Sequence, residues 1–496
     1  MNQNATDYLG AVRQLRQDYR RVVAGLPWLD MSVWAHEPPV FPHHADGQEL
    51  AAVAGRVATR SLSGELGGLR ESCNGLVLRF SPDESGSLDE ISCIFPEMSH
   101  ERVPLVILHT DVDFEQVTEV ASAWPQLSIV IESGPLKILY YLEQVETLLA
   151  AHRNTFLCTY NFCNWLGLER LCTKGFGKRL LFGTHSPRYN PHAAMGPIAM
   201  ARLTWSQKRD IAGNNLRRLL GMAETVENEY NFAPPNSLIV DTHTHHGPPG
   251  RFPVPDEHFS PADWLDFMDF CGLDQIYLCP IEALYEPATS ARELVADFRS
   301  AAPERFFFFE AFDPRRGAEQ MERLHTSLDD PGCIGIKIHP SVHEVAADDA
   351  SYAAVYELAA VRGVPILTHS WDISPTNPVQ YLSHPDRFRP HLQRYPGVRL
   401  VLGHAGGRPG SMAAVVGLCR EFARVVVDLA GDYYDSGLIE FLVEQIGAER
   451  ILFGSDMNWI DPRANLAPVL AAEISEEVVL QILRTNAMRV YRPQAD

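Results

Sequence analysis

Residues 238–247 read Leu238-Ile239-Val240-Asp241-Thr242-His243-Thr244-His245-His246-Gly247. Three apolar residues lead into a polar run, the pattern of a buried strand that opens at its carboxyl end. In an extended chain, residues two apart share a face, so His243 and His245 point the same way. Two imidazoles converging from one rigid strand end make a good metal chelate. The loop beyond them reads GPPG and lacks the glycine-rich phosphate turn of an open doubly wound sheet.

Downstream, apolar strand-like segments recur at 275–279, 306–311, 335–339, 365–369, 399–403, 425–429 and 451–454, with helical stretches between most of them, such as 351–361 and 411–423. With 238–242 that makes eight strand–helix units, which predicts an α/β fold of the (β/α)8 TIM-barrel type over 238–496. A polar stretch at 224–237, ETVENEYNFAPPNS, carries Pro234-Pro235 and marks a boundary, with 226–237 as linker and 1–225 as a first domain. Other strand ends also carry ligand-type residues. The fifth ends in His369, the sixth in His404 followed by Ala405-Gly406-Gly407, and the eighth in Ser455-Asp456. A barrel gathers its chemistry at the carboxyl ends of its strands. Core packing does not need such residues there, because burying them unpaired is costly.

The formal net charge of −21, from 42 Lys and Arg against 63 Asp and Glu, opposes binding to nucleic acid or anionic membranes. A small-molecule substrate in a locally positive pocket is compatible with it, and a homo-oligomer is open to such a chain. Nine cysteines without a Cys-x-x-Cys pair read as reduced, mostly buried thiols of a cytoplasmic protein. Residues 1–30 repeat apolar positions at helical spacing up to Gly25 and lack the apolar core of a signal peptide. No run approaches the ~18 apolar residues of a membrane span.

The motifs IVDTHTHHG, GIKIHP, PILTHS, VLGHAGG, ILFGSDMNW and TNAMRVY occur in that order over the second half. In this the chain resembles the amidohydrolase superfamily, in the branch that includes aminocarboxymuconate-semialdehyde decarboxylase and related lactonases and hydrolases. The resemblance implies metal ligands at His243, His245, His369 and Asp456, and a substrate-polarising or proton-handling role at His404. Imidazoles and one carboxylate suit Zn²⁺, with Mn²⁺ or Fe²⁺ as alternatives, one ion per chain. A bound ion lowers the pKa of water towards ~7. Asp456 could take that water's proton and His404 could bind the oxyanion. The leading expectation is therefore hydrolysis of a C–N or C–O bond in an amide, lactone or ester. The alternatives are non-oxidative decarboxylation or hydration of an unsaturated acid, and a catalytically silent binding protein.

Lys337 and His339, two apart on the fourth strand, share a face. In some superfamily members a lysine at this strand end is carbamylated and bridges two metals; unmodified, its ammonium could bind a substrate carboxylate. Trp371, Asp372, Arg408, Asn458 and Trp459 follow ligand-bearing strand ends, where substrate loops sit, so Arg408, Trp371 and Trp459 are candidate substrate contacts.

The first half reads as a shortened, degenerate copy of the second. Segments 28–38, 73–79, 105–109, 129–134, 181–185 and 215–219 lie against 240–248, 333–339, 365–369, 400–406, 452–456 and 486–490. Val77 to His109 and Lys337 to His369 both span 32 positions, and His185 to Asn215 and Asp456 to Asn486 both span 30. Ser32 and Trp34 replace the first two histidines, Val77 the lysine, Glu132 the sixth-strand histidine and His185 the aspartate, while His109 is kept. Ser32 and Trp34 cannot chelate a metal, so this copy is expected to be structural rather than catalytic.

Overall fold

A computed structural model of the chain describes residues 3–31, 55–56, 58–61, 76–79, 88, 92–133, 138–226, 228–230, 232–235, 238–247, 259–285, 289–374 and 377–491. Ser32 and Trp34 lie outside the described residues.

The first half carries strands β1 (Leu29–Asp30), β2 (Gly55–Arg56), β3 (Ala58–Ser61), β4 (Leu76–Arg79), β5 (Leu105–Leu108), β6 (Ile129–Glu132), β7 (Thr155–Cys158) and β8 (Leu180–Leu181). β1 and β2 form a parallel pair, and β3 to β8 form a parallel sheet in chain order. Met31 N donates to Phe182 O at 3.1 Å, which brings the end of β1 beside the end of β8.

The second half carries β9 (Ile239–His246), β10 (Leu273–Pro280), β11 (Phe306–Ala311), β12 (Cys333–Ile338), β13 (Ile366–His369), β14 (Leu400–Gly403), β15 (Val425–Asp428) and β16 (Ile451–Leu452), an eight-stranded parallel sheet in chain order. These are the eight strands expected from the sequence. Thr242 N donates to Phe453 O at 3.0 Å and Asp456 N to His243 O at 2.8 Å, so the ends of β9 and β16 meet and the sheet closes as a TIM-type barrel. β11, β13, β14, β15 and β16 are buried along their whole length, as strands covered on both faces must be, and so read as continuous apolar runs.

One continuous apolar core spans both halves. The amphipathic segment expected at the amino end is helix α1 (Gln3–Ala24), whose Val12, Leu15, Tyr19 and Val22 are fully buried. Arg16 of α1 donates to the carbonyls of Leu470, Ala472 and Ile474 at 3.0, 2.7 and 2.8 Å. It thereby satisfies carbonyls at the end of a second-half helix that have no partner within the helix.

Two helices, α2 (Pro191–Ala199) and α3 (Pro462–Ala471), pack together across the halves. A Cβ on Gly196 would lie 2.4 Å from both Ala467 Cβ and Arg463 O, so only glycine permits this approach. Each helix start bonds to the opposite half: Asn190 N donates to Tyr434 O at 2.7 Å, and Asp461 N to Cys163 O at 2.8 Å. Among the described residues no helix is long and apolar enough to cross a membrane, and the eight described cysteines are free.

Candidate metal centre

The closure of the barrel builds the site. β9 presents His243 and His245, and the segment after β16 brings Asp456 alongside. Asp241 ties the two together. Its Oδ1 accepts from His243 N at 3.3 Å and from Ser455 N at 3.1 Å, and its Oδ2 accepts from Ser455 Oγ at 2.5 Å. Burial pushes the Asp241 carboxyl up to about 8, against the pull of those hydrogen bonds.

One ligand atom each from His243, His245 and Asp456 lies within 4.8 Å of the other two. His245 Nε2 is 3.1 Å and His243 Nε2 3.8 Å from Asp456 Oδ1. Donors that close can share an ion held at ~2.0–2.2 Å from each. All three side chains are buried, and Asp456 Oδ1 accepts no hydrogen bond among the described residues. A buried carboxylate oxygen without a partner is costly, and a cation removes that cost. The second ring nitrogens are already engaged: His243 Nδ1 with Asp428 Oδ2 at 2.9 Å, and His245 Nδ1 with Cys279 O at 3.0 Å. Each partner accepts an Nδ1–H and leaves Nε2 with its lone pair towards Asp456, the tautomer a metal needs. The donor set therefore fits one divalent metal ion, which these three residues can hold.

Burial alone would raise the Asp456 carboxyl. The close approach of His245, with His404 and His243 nearby, outweighs it and holds Asp456 well below the usual carboxylate range. Burial holds His243 and His369 well below the ordinary imidazole range and brings His404 down to about 4. These rings are neutral near pH 7 and free to act as ligands or acceptors.

The other residues singled out by the sequence surround this cluster. Lys337 Nζ is 2.8 Å from His243 Nε2 and shares its lone pair; burial lowers the Lys337 pKa. His404 lies 4.8 Å from His243 between ring centres, with its backbone N held by Asp428 Oδ1 at 2.8 Å and its Nδ1 3.2 Å from Ala430 O. His369 stands outside the three-residue cluster. Its Nε2 meets Gln380 Oε1 at 2.8 Å, and its ring stacks on His339 at 4.1 Å and on Trp371 at 5.5 Å. Trp459 lies 5.0 Å from His245, Trp371 5.3 Å from His404, and the Arg408 guanidinium 4.6 Å over Trp371. A Cβ on Gly403, at the end of β14, would lie 2.7 Å from Thr368 O and 3.0 Å from His243 Cε1, so this glycine makes room for the ligand ring.

Asp428 and Gln380 were not singled out by the sequence. Asp428 closes the apolar run Val425-Val426-Val427 at the end of β15, and the rule applied to the other strand ends would have found it. Gln380 lies in a loop between β13 and β14 and gives no such signal.

In the first half, His185 Nε2 meets Glu132 Oε1 at 2.8 Å, His109 Nδ1 lies 3.3 Å from Glu132 O, and the Tyr160 ring stacks on His185 at 3.4 Å.

A family model described as amidohydrolase matches residues 240–492, a stretch that contains every residue of the cluster. The chain is similar to the gamma-resorcylate decarboxylase of Rhodococcus jostii (strain RHA1), with 28% identity over 262 residues, 42% of this chain and 78% of that protein. Among solved structures it is similar to a 2,6-dihydroxybenzoate decarboxylase from Rhizobium, at 17% identity and a TM-score of 0.42, covering 52% of this chain and 99% of that one. It is also similar to a dihydroxybenzoic acid decarboxylase from Polaromonas sp. JS666 with bound manganese and 2-nitroresorcinol, at 19% identity and a TM-score of 0.41, covering 53% and 98%. The expectation of C–N or C–O hydrolysis is corrected by the curated relative, a decarboxylase, which breaks a C–C bond instead. With half of its length matched, the chain belongs to the amidohydrolase family and is an enzyme of that family.

Proposed function

We propose that the chain is a metal-dependent, non-oxidative decarboxylase of a small unsaturated carboxylic acid, with hydroxylated aromatic acids as the substrate class. The observation that carries this reading is the 28% identity with gamma-resorcylate decarboxylase, joined to the His243, His245 and Asp456 cluster. One divalent ion per chain, Mn²⁺, Zn²⁺ or Fe²⁺, would be held by these three residues, with His369 and His404 at its edge. When bound, the ion supplies a Lewis-acid hold on the substrate's oxygens.

In the reaction the bond to the carboxylate carbon breaks and CO2 leaves. The electron pair stays on the ring carbon and takes up a proton. Trp371 and Trp459 exclude water from the rings they face, and a carboxylate pressed against apolar surface loses hydration that neutral CO2 does not need. Neutral His404, its Nδ1 turned to Ala430 O, offers Nε2 to a substrate hydroxyl. Asp456, held as the carboxylate, is assigned the proton relay: it takes the proton of a substrate hydroxyl and returns it to the ring carbon as CO2 leaves. Arg408, paired with Asp432 at 3.2 Å, holds the Trp371 ring from behind.

The test is direct. Protein loaded with Mn²⁺ is incubated with 2,6-dihydroxybenzoate, other hydroxybenzoates, and a set of lactones and amides. Stoichiometric CO2 and a phenol are expected from at least one acid. Ring opening of a lactone with no CO2 from any acid would sink the reading.

We also propose that residues 1–225 are a related, non-catalytic copy, joined through 226–237 to the catalytic domain at 238–496. Support comes from equivalent contacts, offset by 271 positions from Gly177 onward, as between Asn215 and Asn486, and by 211 positions at Asp30 and Asp241. Asn215 Nδ2 donates to Gly177 O and Leu180 O, and Asn486 Nδ2 to Ala448 O and Ile451 O. Thr184 binds Asp30 as Ser455 binds Asp241. Asn190 caps α2 as Asp461 caps α3, and a π-helical turn at Asp210–Asn214 matches one at Gln481–Thr485.

A further inference from the structure

Between the halves lies a cavity of about 200 Å³ that none of His243, His245, His369, His404 and Asp456 lines. Its floor is the carboxyl end of β7 and β8, through Thr159, Tyr160 and Thr184; its roof is Arg408, Asp432 and Tyr433 of the second half. Strand ends of this kind are where parallel α/β sheets bind ligands. Here the ligand-type residues are turned on one another, His185 against Glu132 with Tyr160 stacked on top. The space above them is lined by aromatic faces, hydroxyls and the Arg188–Asp435 and Arg408–Asp432 pairs.

We propose that this cavity is a second binding site, for a neutral one-ring aromatic bearing hydroxyl groups, a phenol or benzenediol. Three observations fix the class. The volume suits one ring, since apolar cavities of ~150 Å³ accept benzene. The walls include Tyr160 and Tyr189, with ring centres 5.6 Å apart, which offer faces to a planar molecule. Two lining residues, Thr159 and Tyr433, carry buried hydroxyls with no hydrogen-bond partner, and rotation of either side chain towards the cavity would give a ligand hydroxyl a partner and relieve a group now left costly.

Charge argues for neutrality. Arg188 Nε meets Asp435 Oδ1 at 3.3 Å, and both Nη atoms of Arg408 meet Asp432 at 3.2 Å. Each lining guanidinium is matched by a lining carboxylate, which leaves no net attraction for an anion. Decarboxylation of a hydroxybenzoate yields a phenol, but the ligand class is read from the cavity and stands without the proposed reaction.

The experiment is calorimetric titration of resorcinol and benzoate into the full chain stripped of metal by a chelator, together with variants. Resorcinol should bind once per chain with a dissociation constant on the order of 10⁻⁴–10⁻³ M, and benzoate more weakly. Ala194→Trp, which fills the cavity from α2, should abolish binding, and Tyr433→Phe should weaken it about threefold to tenfold. His243→Ala/His245→Ala should leave it intact. Absence of saturable binding at roughly 10 mM would overturn the proposal. So would binding that survives Ala194→Trp, binding lost in His243→Ala/His245→Ala, or benzoate binding more tightly than resorcinol. If Ala194→Trp fails to fold, Thr159→Val/Tyr433→Phe decides in its place, and unchanged affinity there overturns the site.

Discussion

Replacing Asp428 with Asn should disable the metal centre without touching a proposed ligand. Asp428 is fully buried. Its Oδ1 accepts from His404 N at 2.8 Å and Ala430 N at 3.1 Å, and its Oδ2 accepts Nδ1–H of His243 at 2.9 Å. Asn keeps the shape, and its single oxygen remains with the two backbone donors. The amide NH2 then faces His243 Nδ1, where a donor would meet a donor. Relief requires His243 to move its proton to Nε2, the lone pair the ion needs. Losing an outer partner of a ligand histidine costs typically 10–100-fold in metal affinity, about 1.4–2.8 kcal/mol by the tenfold-per-1.4 rule. The forced tautomer should place Asp428→Asn at or beyond the upper end. The assay is chelator competition for Mn²⁺ or Zn²⁺, with the thermal midpoint as a check on folding. An affinity within twofold of the parent would refute the tautomer argument.

Three other outcomes are expected. Arg463 is fully buried between Glu169, at 2.5 and 3.0 Å, and Asp461, at 2.8 and 2.5 Å; Glu169→Gln should destabilise by about 3 kcal/mol, the low end for a broken buried pair because Asp461 remains, and a urea-unfolding change under about 0.5 kcal/mol would contradict it. His192 and His343 are held down to about 4 by burial, so from pH 6.5 to 4 the unfolded chain binds more protons and stability falls as pH falls; Asp241, raised to about 8, works in the opposite sense. The urea midpoint of metal-free protein should therefore be lower at about pH 4.5 than at about 6.5, and an unchanged or higher value would remove the buried-imidazole account. His243→Ala/His245→Ala should lose bound metal by elemental analysis, whereas His185→Asn should keep both metal and kcat; loss of turnover in a folded His185→Asn variant would make the first half part of the machinery.

Much of the second half was legible because its signals are local. Each strand is a short, mostly apolar run, and the candidate residues His243, His245, His404 and Asp456 lie near or just beyond the carboxyl ends of such runs, where position alone points to them. His369 ends its strand as expected, and its side chain meets Gln380, His339 and Trp371, contacts with loop and neighbouring-strand residues that the strand pattern does not show. Strand alternation says which face a side chain takes and nothing about a loop that reaches over it. The reaction class was not legible for a related reason. Ligands fix the ion, whereas the choice between water attack and loss of CO2 rests on loop residues with no periodicity.

The contacts between the halves bear on the position of Asp456. The segment that carries Asp456 runs directly into Asp461 and Arg463, and the first half holds it at three points. Cys163 O accepts from Asp461 N at 2.8 Å, Leu166 N donates to Asp461 Oδ2 at 3.4 Å, and Glu169 clamps Arg463. Cys163 also packs with Ile460 and Ala464, with Trp459 against them. A metal site needs its carboxylate held within about half an ångström, which a loop does not achieve alone. Fixing Asp461 and Arg463 from outside the barrel fixes Trp459 and limits the freedom of Asp456. None of these contacts uses a ligand-type residue of β5, β6 or β8. The groups that hold this segment, Cys163, Leu166 and Glu169, are thus distinct from Ser32, Trp34, Glu132 and His185, the residues that stand at the ligand positions of the proposed copy.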